Sequence, residues 1–142
     1  MTKRNVLGRR TKTQVAGAIG PYSLGVVAEG SYVFLAGQVA WDTEGRIVGK
    51  QSMGEQYRQV MRNLQAVIED AGGRMDDICK LVNYVTIPMT KTSLEYRELT
   101  EARREFFTGE LPVSTLVQVV SLMDPDALVE VDAIAVLSDG TA

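Results

Sequence analysis

Pro112-Val113-Ser114-Thr115-Leu116-Val117-Gln118-Val119-Val120, a turn at Asp124-Pro125-Asp126, then Leu128-Val129-Glu130-Val131-Asp132-Ala133-Ile134-Ala135-Val136: this stretch decides the fold. Both runs are rich in β-branched residues and end in turn formers, so both read as strands. Glu130 and Asp132 stand two residues apart and therefore share a face, roughly 6.5–7 Å apart along the strand. Leu128, Ile134 and Val136 share it with them, while Val129, Val131, Ala133 and Ala135 occupy the other. A strand so apolar on both faces is covered on both sides, and a carboxylate placed on it needs a reason.

Working outward, the preceding chain supplies further strands and two helices. Gly17 to Tyr22 is a Gly- and Pro-bearing loop. Leu24 to Ala28 and Ser31 to Val39 read as strands joined in a hairpin at Glu29-Gly30. Gly37 interrupts the second of them, which predicts a bulge or a close backbone approach. Asp42 to Gly45 is a turn, with a short strand at Arg46-Ile47-Val48.

Ser52 to Ala71 is an amphipathic helix, with Ser52 and Glu55 as its capping box and Gly72-Gly73 as its stop. Met53, Tyr57, Val60, Met61, Leu64, Val67, Ile68 and Ala71 form its apolar face, and Gln56 falls with the polar residues. Ile78 to Ile87 is a strand ended by Pro88, on which Cys79, Leu81, Val85 and Ile87 share a face. Cys79 has no base near it and reads as a buried, inert thiol. Ser93 to Phe107 is a second helix, capped by Thr92 and Glu95. Leu94, Leu99, Ala102 and Phe106 form its apolar side, and Arg97, Glu98, Glu101, Arg103, Arg104 and Glu105 its solvated one.

The order β-β-(β)-α-β-α-β-β is that of an α+β domain. Two helices cover one face of a mostly antiparallel sheet. A chain of 142 residues has nothing left to cover the other. Strands apolar on both faces then imply a homo-oligomer packed through the bare face.

Composition narrows the chemistry. The sequence contains no histidine and one cysteine. That removes histidine-based nucleophile systems, histidine general bases, most zinc sites and any intrachain disulfide. Carboxylates, hydroxyls, backbone amides, water and one thiol remain. No apolar run reaches the ~20 residues of a membrane helix. No secretory signal is visible, and the lone thiol fits a cytoplasmic location. Lys3, Arg4, Arg9, Arg10 and Lys12 make a basic arm over residues 1–15, ahead of a single domain at 16–142. The other 10 basic and 18 acidic residues give the body a net −8, which disfavours a nucleic-acid partner. The arm itself reads as a frayed, solvated terminus.

Four local patterns occur together: Ala18-Ile19-Gly20-Pro21-Tyr22-Ser23-Leu24-Gly25; Leu35-Ala36-Gly37-Gln38-Val39; Leu64 to Gly72 followed by Asp77-Ile78-Cys79-Lys80; and Val129 to Val136. In this order and spacing the chain resembles the Rid (reactive intermediate deaminase) family, also called YjgF, from about Ala16 to Val136. The resemblance implies a chorismate-mutase-like fold and a homotrimer with a central barrel and pockets between subunits. It also implies hydrolysis of enamines and imines, such as 2-aminoacrylate, to 2-keto acids and ammonia, with no metal or cofactor. By the same resemblance Glu130, which helps position the attacking water, and Tyr22 are catalytic. Gly37, Thr100, Ser114 and Thr115 are substrate-binding. The family's substrate-clamping arginine is here Ser114, its nearby cysteine is Leu116, its serine before Gly-Gln is Ala36, and its helix asparagine is Thr100. Without an arginine at Ser114 the expected substrate is shifted from the usual 2-imino acids. Two alternatives stand beside the enzyme: a non-catalytic small-molecule-binding or regulatory trimer, and, less favoured, a nucleic-acid-acting protein.

Overall fold

The computed structural model describes residues 16–138 and the backbone of Lys3–Asn5; the rest of the basic arm lies outside the described residues. The elements are β1 (Lys3–Asn5), β2 (Val26–Ala28), β3 (Ser31–Gln38), α1 (Met53–Asp70), β4 (Ile78–Val85), α2 (Leu94–Arg104), β5 (Val113–Gln118) and β6 (Val129–Leu137). Two helices pack on a mixed four-stranded sheet ordered β3-β6-β4-β5, an α+β architecture. The β3–β6 and β6–β4 pairings are antiparallel, and β4–β5 is parallel.

The central strand β6 reads as its sequence predicts. Val129, Val131, Ala133 and Ala135 are buried beneath the helices, with Leu81, Val85, Val60, Leu64 and Leu99 in the same core. Glu130, Asp132 and Ile134 alternate onto the other face and are half-buried. Tyr32 and Phe34 of β3 stand on that open face at 68% and 75% exposure.

Several local expectations change. The hairpin at Glu29-Gly30 does not form, because β2 pairs with β1 and β3 pairs with β6. Gly30 has φ +143, and a Cβ there would run into the Leu137 carbonyl, so the glycine lets the chain lie tight against the end of β6. Arg46 to Val48 contributes an isolated bridge between Trp41 and Ile47, not a strand.

The α1 cap is half a capping box. Ser52 Oγ accepts from Glu55 N–H, while Ser52 N–H donates to the Gly49 carbonyl. Gln56 is fully buried: its Nε2 donates to the Asp126 carbonyl and its Oε1 accepts from Leu128 N–H, so it clamps the loop before β6. Val67 lies 43% exposed, outside the apolar stripe. The α2 cap is Ser93, not Thr92, and Leu94 is exposed.

In β4 a register shift between Ile78 and Lys80 makes Cys79 the extra residue of a bulge. Ile78, Leu81, Asn83 and Val85 therefore face the core. Cys79 is half-buried beside the Asp77 carbonyl, outside the core where the sequence reading put it.

Candidate functional site

The loop Gly20-Pro21-Tyr22 is held against the start of β5. Ser23 N–H donates to the Pro112 carbonyl, and Ser23 Oγ to the Leu111 carbonyl. A Cβ at Gly20 would collide with the Tyr96 hydroxyl, so this glycine lets the loop lie on α2. Tyr22 is thereby set beside Ser114. The Tyr22 hydroxyl accepts from Ile19 N–H at 3.3 Å, which leaves its own proton free to donate.

Between this loop, α2 and β5 is an open cavity of about 220 Å³. Ile19, Tyr22, Met89, Thr90, Lys91, Tyr96, Arg103, Ser114 and Leu116 line it. Of the residues singled out in the sequence, Tyr22 and Ser114 meet here. Thr100 belongs to the adjoining concavity with Lys91 and Arg97, and its hydroxyl donates to the Arg97 carbonyl. Thr115 is exposed and pairs in register with Val82, so its side chain turns to the open face of the sheet.

Beneath the cavity is a buried polar network that sequence reading missed. Arg103, assigned to the solvated side of α2, is only 3% exposed. Its Nε donates to the Tyr57 hydroxyl at 2.9 Å and its Nη2 to Asn83 Oδ1 at 3.0 Å. The Tyr57 hydroxyl donates in turn to Asn83 Oδ1 at 2.9 Å. Asn83 Nδ2 donates to Ser114 Oγ at 2.9 Å and to the Thr115 carbonyl at 2.8 Å. Burial pushes the Tyr57 phenol up, and the neighbouring guanidinium opposes that shift. Tyr57 is therefore a neutral link that accepts from Arg103 and donates to Asn83. The signal for Arg103 was present: it is four residues after Leu99 and next to Ala102, within the helix's apolar stripe.

Glu130 lies elsewhere. Ser114 is in register with Leu81, which faces the core, whereas Glu130 is opposite Tyr84 on the open face. Gly37 sits at a register break between Leu35 and Gln38, and a Cβ on it would strike the Glu130 carboxylate. The bulge and the close approach expected at Gly37 are both present, and they seat the Glu130 side chain against bare backbone. Asp132 accepts from the Tyr84 hydroxyl at 3.2 Å. The adjacent Asp132 charge pushes the Tyr84 phenol up, with burial and Glu130 adding to the shift. Within one chain the sheet thus separates two groups: Tyr22, Ser114 and Arg103 on the helix side, Glu130 and Gly37 on the open side.

Residues 12–137 match the family described as Endoribonuclease L-PSP. The chain belongs to this family, the Rid (YjgF) family. A RutC family protein of Pyrococcus horikoshii is 33% identical over 117 residues, covering 82% of this chain and 87% of the relative. The Rid-family protein YyfB of Yersinia pestis superposes with a TM-score of 0.79 at 25% identity, covering 96% of this chain and all of that one. RidA from an Antarctic Psychrobacter superposes with a TM-score of 0.66 at 28% identity, covering 85% and 92% of the two chains. As in a Rid-family fold, two helices back a mixed sheet. No helix among the described residues is long and apolar enough to cross a membrane.

Proposed function

We propose that this Rid-family chain is a deaminase-type hydrolase of a small enamine or imine, working without a cofactor in a pocket completed by a second copy of itself. The observation that carries the reading is the two-sided arrangement just described. Tyr22 and Ser114 offer hydroxyls to a small cavity, and Glu130 is seated on the opposite face of the same sheet. The two halves can cooperate only across an interface. The open face, with Tyr32 and Phe34 exposed, is apolar enough to form one, in a homotrimer whose sheets close a barrel.

In this mechanism an enamine first tautomerises to the imine. Glu130 of one copy takes a proton from water as the oxygen bonds to the imine carbon. Glu130 hands that proton to the nitrogen, the adduct's hydroxyl gives up a second proton to it as the C–N bond breaks, and ammonia leaves behind a ketone or keto acid. Tyr22 of the other copy donates a hydrogen bond to the substrate and holds it in line.

Subunit complementation tests the arrangement. Glu130→Gln and Tyr22→Ala should each be inactive alone. A 1:1 co-assembled mixture should recover about a quarter of wild-type activity, since one interface in four pairs an intact carboxylate with an intact cavity. Activity no higher than that of the two parents in the mixture would place all the chemistry in one copy or in neither.

Gly37→Ala is a second test. The added methyl pushes the Glu130 carboxylate off its seat while leaving the core untouched. Turnover should fall about ten- to a hundredfold with the melting temperature little changed, since small misplacements of a reacting group are costly. Wild-type turnover in Gly37→Ala would show that the seat is irrelevant to the chemistry.

A further inference from the structure

Two carboxylates share one face of β6, and the proposed reaction uses only one of them. Glu130 and Asp132 are both half-buried on the open side of the sheet, yet the fold treats them differently. Asp132 accepts from the Tyr84 hydroxyl at 3.2 Å. The Glu130 carboxylate has no hydrogen-bond or ion-pair partner among the described residues. A long side chain with no bond to hold it samples several rotamers unless its neighbours wall it in.

Two neighbours do so. On the β3 side is the bare backbone of Gly37, where an added Cβ would meet the Glu130 carboxylate, Cδ and Cγ alike. On the β4 side is Tyr84, directly opposite Glu130 in register. Residues paired in this way have Cβ atoms roughly 4.5–5.5 Å apart. The Tyr84 ring is not upright on its strand. Its hydroxyl reaches Asp132, two residues along β6 from its own register partner, a diagonal that only a long side chain spans. The ring therefore leans along β6 from the level of Glu130 to that of Asp132. Asp132, then burial, then Glu130 push the Tyr84 phenol up, so it stays protonated and keeps donating.

We infer that Tyr84 is a positioning residue, the second wall that holds Glu130 toward the attacking water, and that Asp132 is the anchor that fixes the Tyr84 ring. The two acids then have separate tasks. Glu130 keeps both oxygens open for proton transfer, and Asp132 is occupied by the tyrosine. Tyr84 and Asp132 act through Glu130, and neither takes a proton. This rests on the reading of Glu130 as the general base.

The test compares Tyr84→Phe, Asp132→Ala and Asp132→Asn in the full chain, with 2-iminobutanoate generated in place from threonine by an amino-acid dehydratase. Tyr84→Phe removes only the hydroxyl. It should lower kcat about tenfold and leave KM within about twofold, because Tyr22 and Ser114 lie on the other side of the sheet. Asp132→Ala should match it. Asp132→Asn should keep kcat near wild type, since its amide oxygen still accepts from Tyr84. The double variant Tyr84→Phe/Asp132→Ala should be no slower than either single one, as for two residues acting as a unit.

A second measurement needs no turnover. The order parameter of the Glu130 Cγ methylene should fall in Tyr84→Phe and Asp132→Ala and stay at its wild-type value in Asp132→Asn. Wild-type kcat in Tyr84→Phe beside an inactive Glu130→Gln, a raised KM in place of a lowered kcat, Asp132→Asn as slow as Asp132→Ala, or a Glu130 methylene indifferent to Tyr84→Phe overturns the assignment. Wild-type turnover in Glu130→Gln removes the general-base reading and this one with it. Should the wild-type chain leave the imine untouched, the enzymatic reading falls alone, and the methylene decides whether Tyr84 seats Glu130.

Discussion

Glu130→Gln is expected to abolish turnover while leaving assembly and the melting temperature as they are in the wild type. The glutamine keeps the shape that fits against Gly37 and can still hydrogen-bond water, but it can no longer take a proton. Loss of a positioned general base costs about 10²–10⁴ in rate. Stability should survive because Glu130 forms no ion pair among the described residues, so its neutralisation strands no buried cation within the chain. The assay supplies the imine in place, from an amino-acid dehydratase, and follows keto acid and ammonia together. Turnover within a few-fold of wild type would remove Glu130 from the chemistry. A collapse of the assembly would instead identify it as half of an ion pair between copies.

Asn83→Leu is expected to be the most damaging single change to stability. Asn83 is fully buried, and its amide makes four hydrogen bonds, linking Tyr57 and Arg103 to Ser114 and the Thr115 carbonyl. Leucine fills the space but leaves the Arg103 cation without its best acceptor, which costs on the order of 3–5 kcal/mol. Chemical denaturation reads this directly. The double variant with Arg103→Met should lose less than the sum of the two single losses, because the stranded charge is then gone. A loss below about 1 kcal/mol for Asn83→Leu would show that the network does little for the fold.

How much of this was legible in the sequence depends on what each residue's signal was. The two C-terminal strands were plain, since alternation along Val129 to Ala135 records one buried face. The special status of Gly37 was plain too, because glycine inside a strand has few other reasons to be there. Family membership rested on four motifs in order. Arg103 and Asn83 were missed for a shared reason. Each occupies a core position by period, Arg103 with Leu99 and Ala102, Asn83 with Leu81 and Val85. Arg103 was nevertheless read by its polarity, and Asn83 was passed over on its strand face. The partners that make burial tolerable, Tyr57 and Ser114, are 46 residues from Arg103 and 31 from Asn83, and no local pattern shows them. The hairpin at Glu29-Gly30 failed likewise: the competing partners of β2 and β3 are distant in sequence.

The single carboxamide of Asn83, bonded to both Arg103 and Ser114, also couples positions 103 and 114. Position 114 is where the family resemblance places an arginine, and the guanidinium of this chain is on the neighbouring helix. An arginine at both places would press two cations around one amide; one at neither would leave the cavity with only Lys91. Substitutions at 103 and 114, which share Asn83 as a partner, are therefore expected to be non-additive. The effect of a guanidinium at either position is expected to depend on what stands at the other.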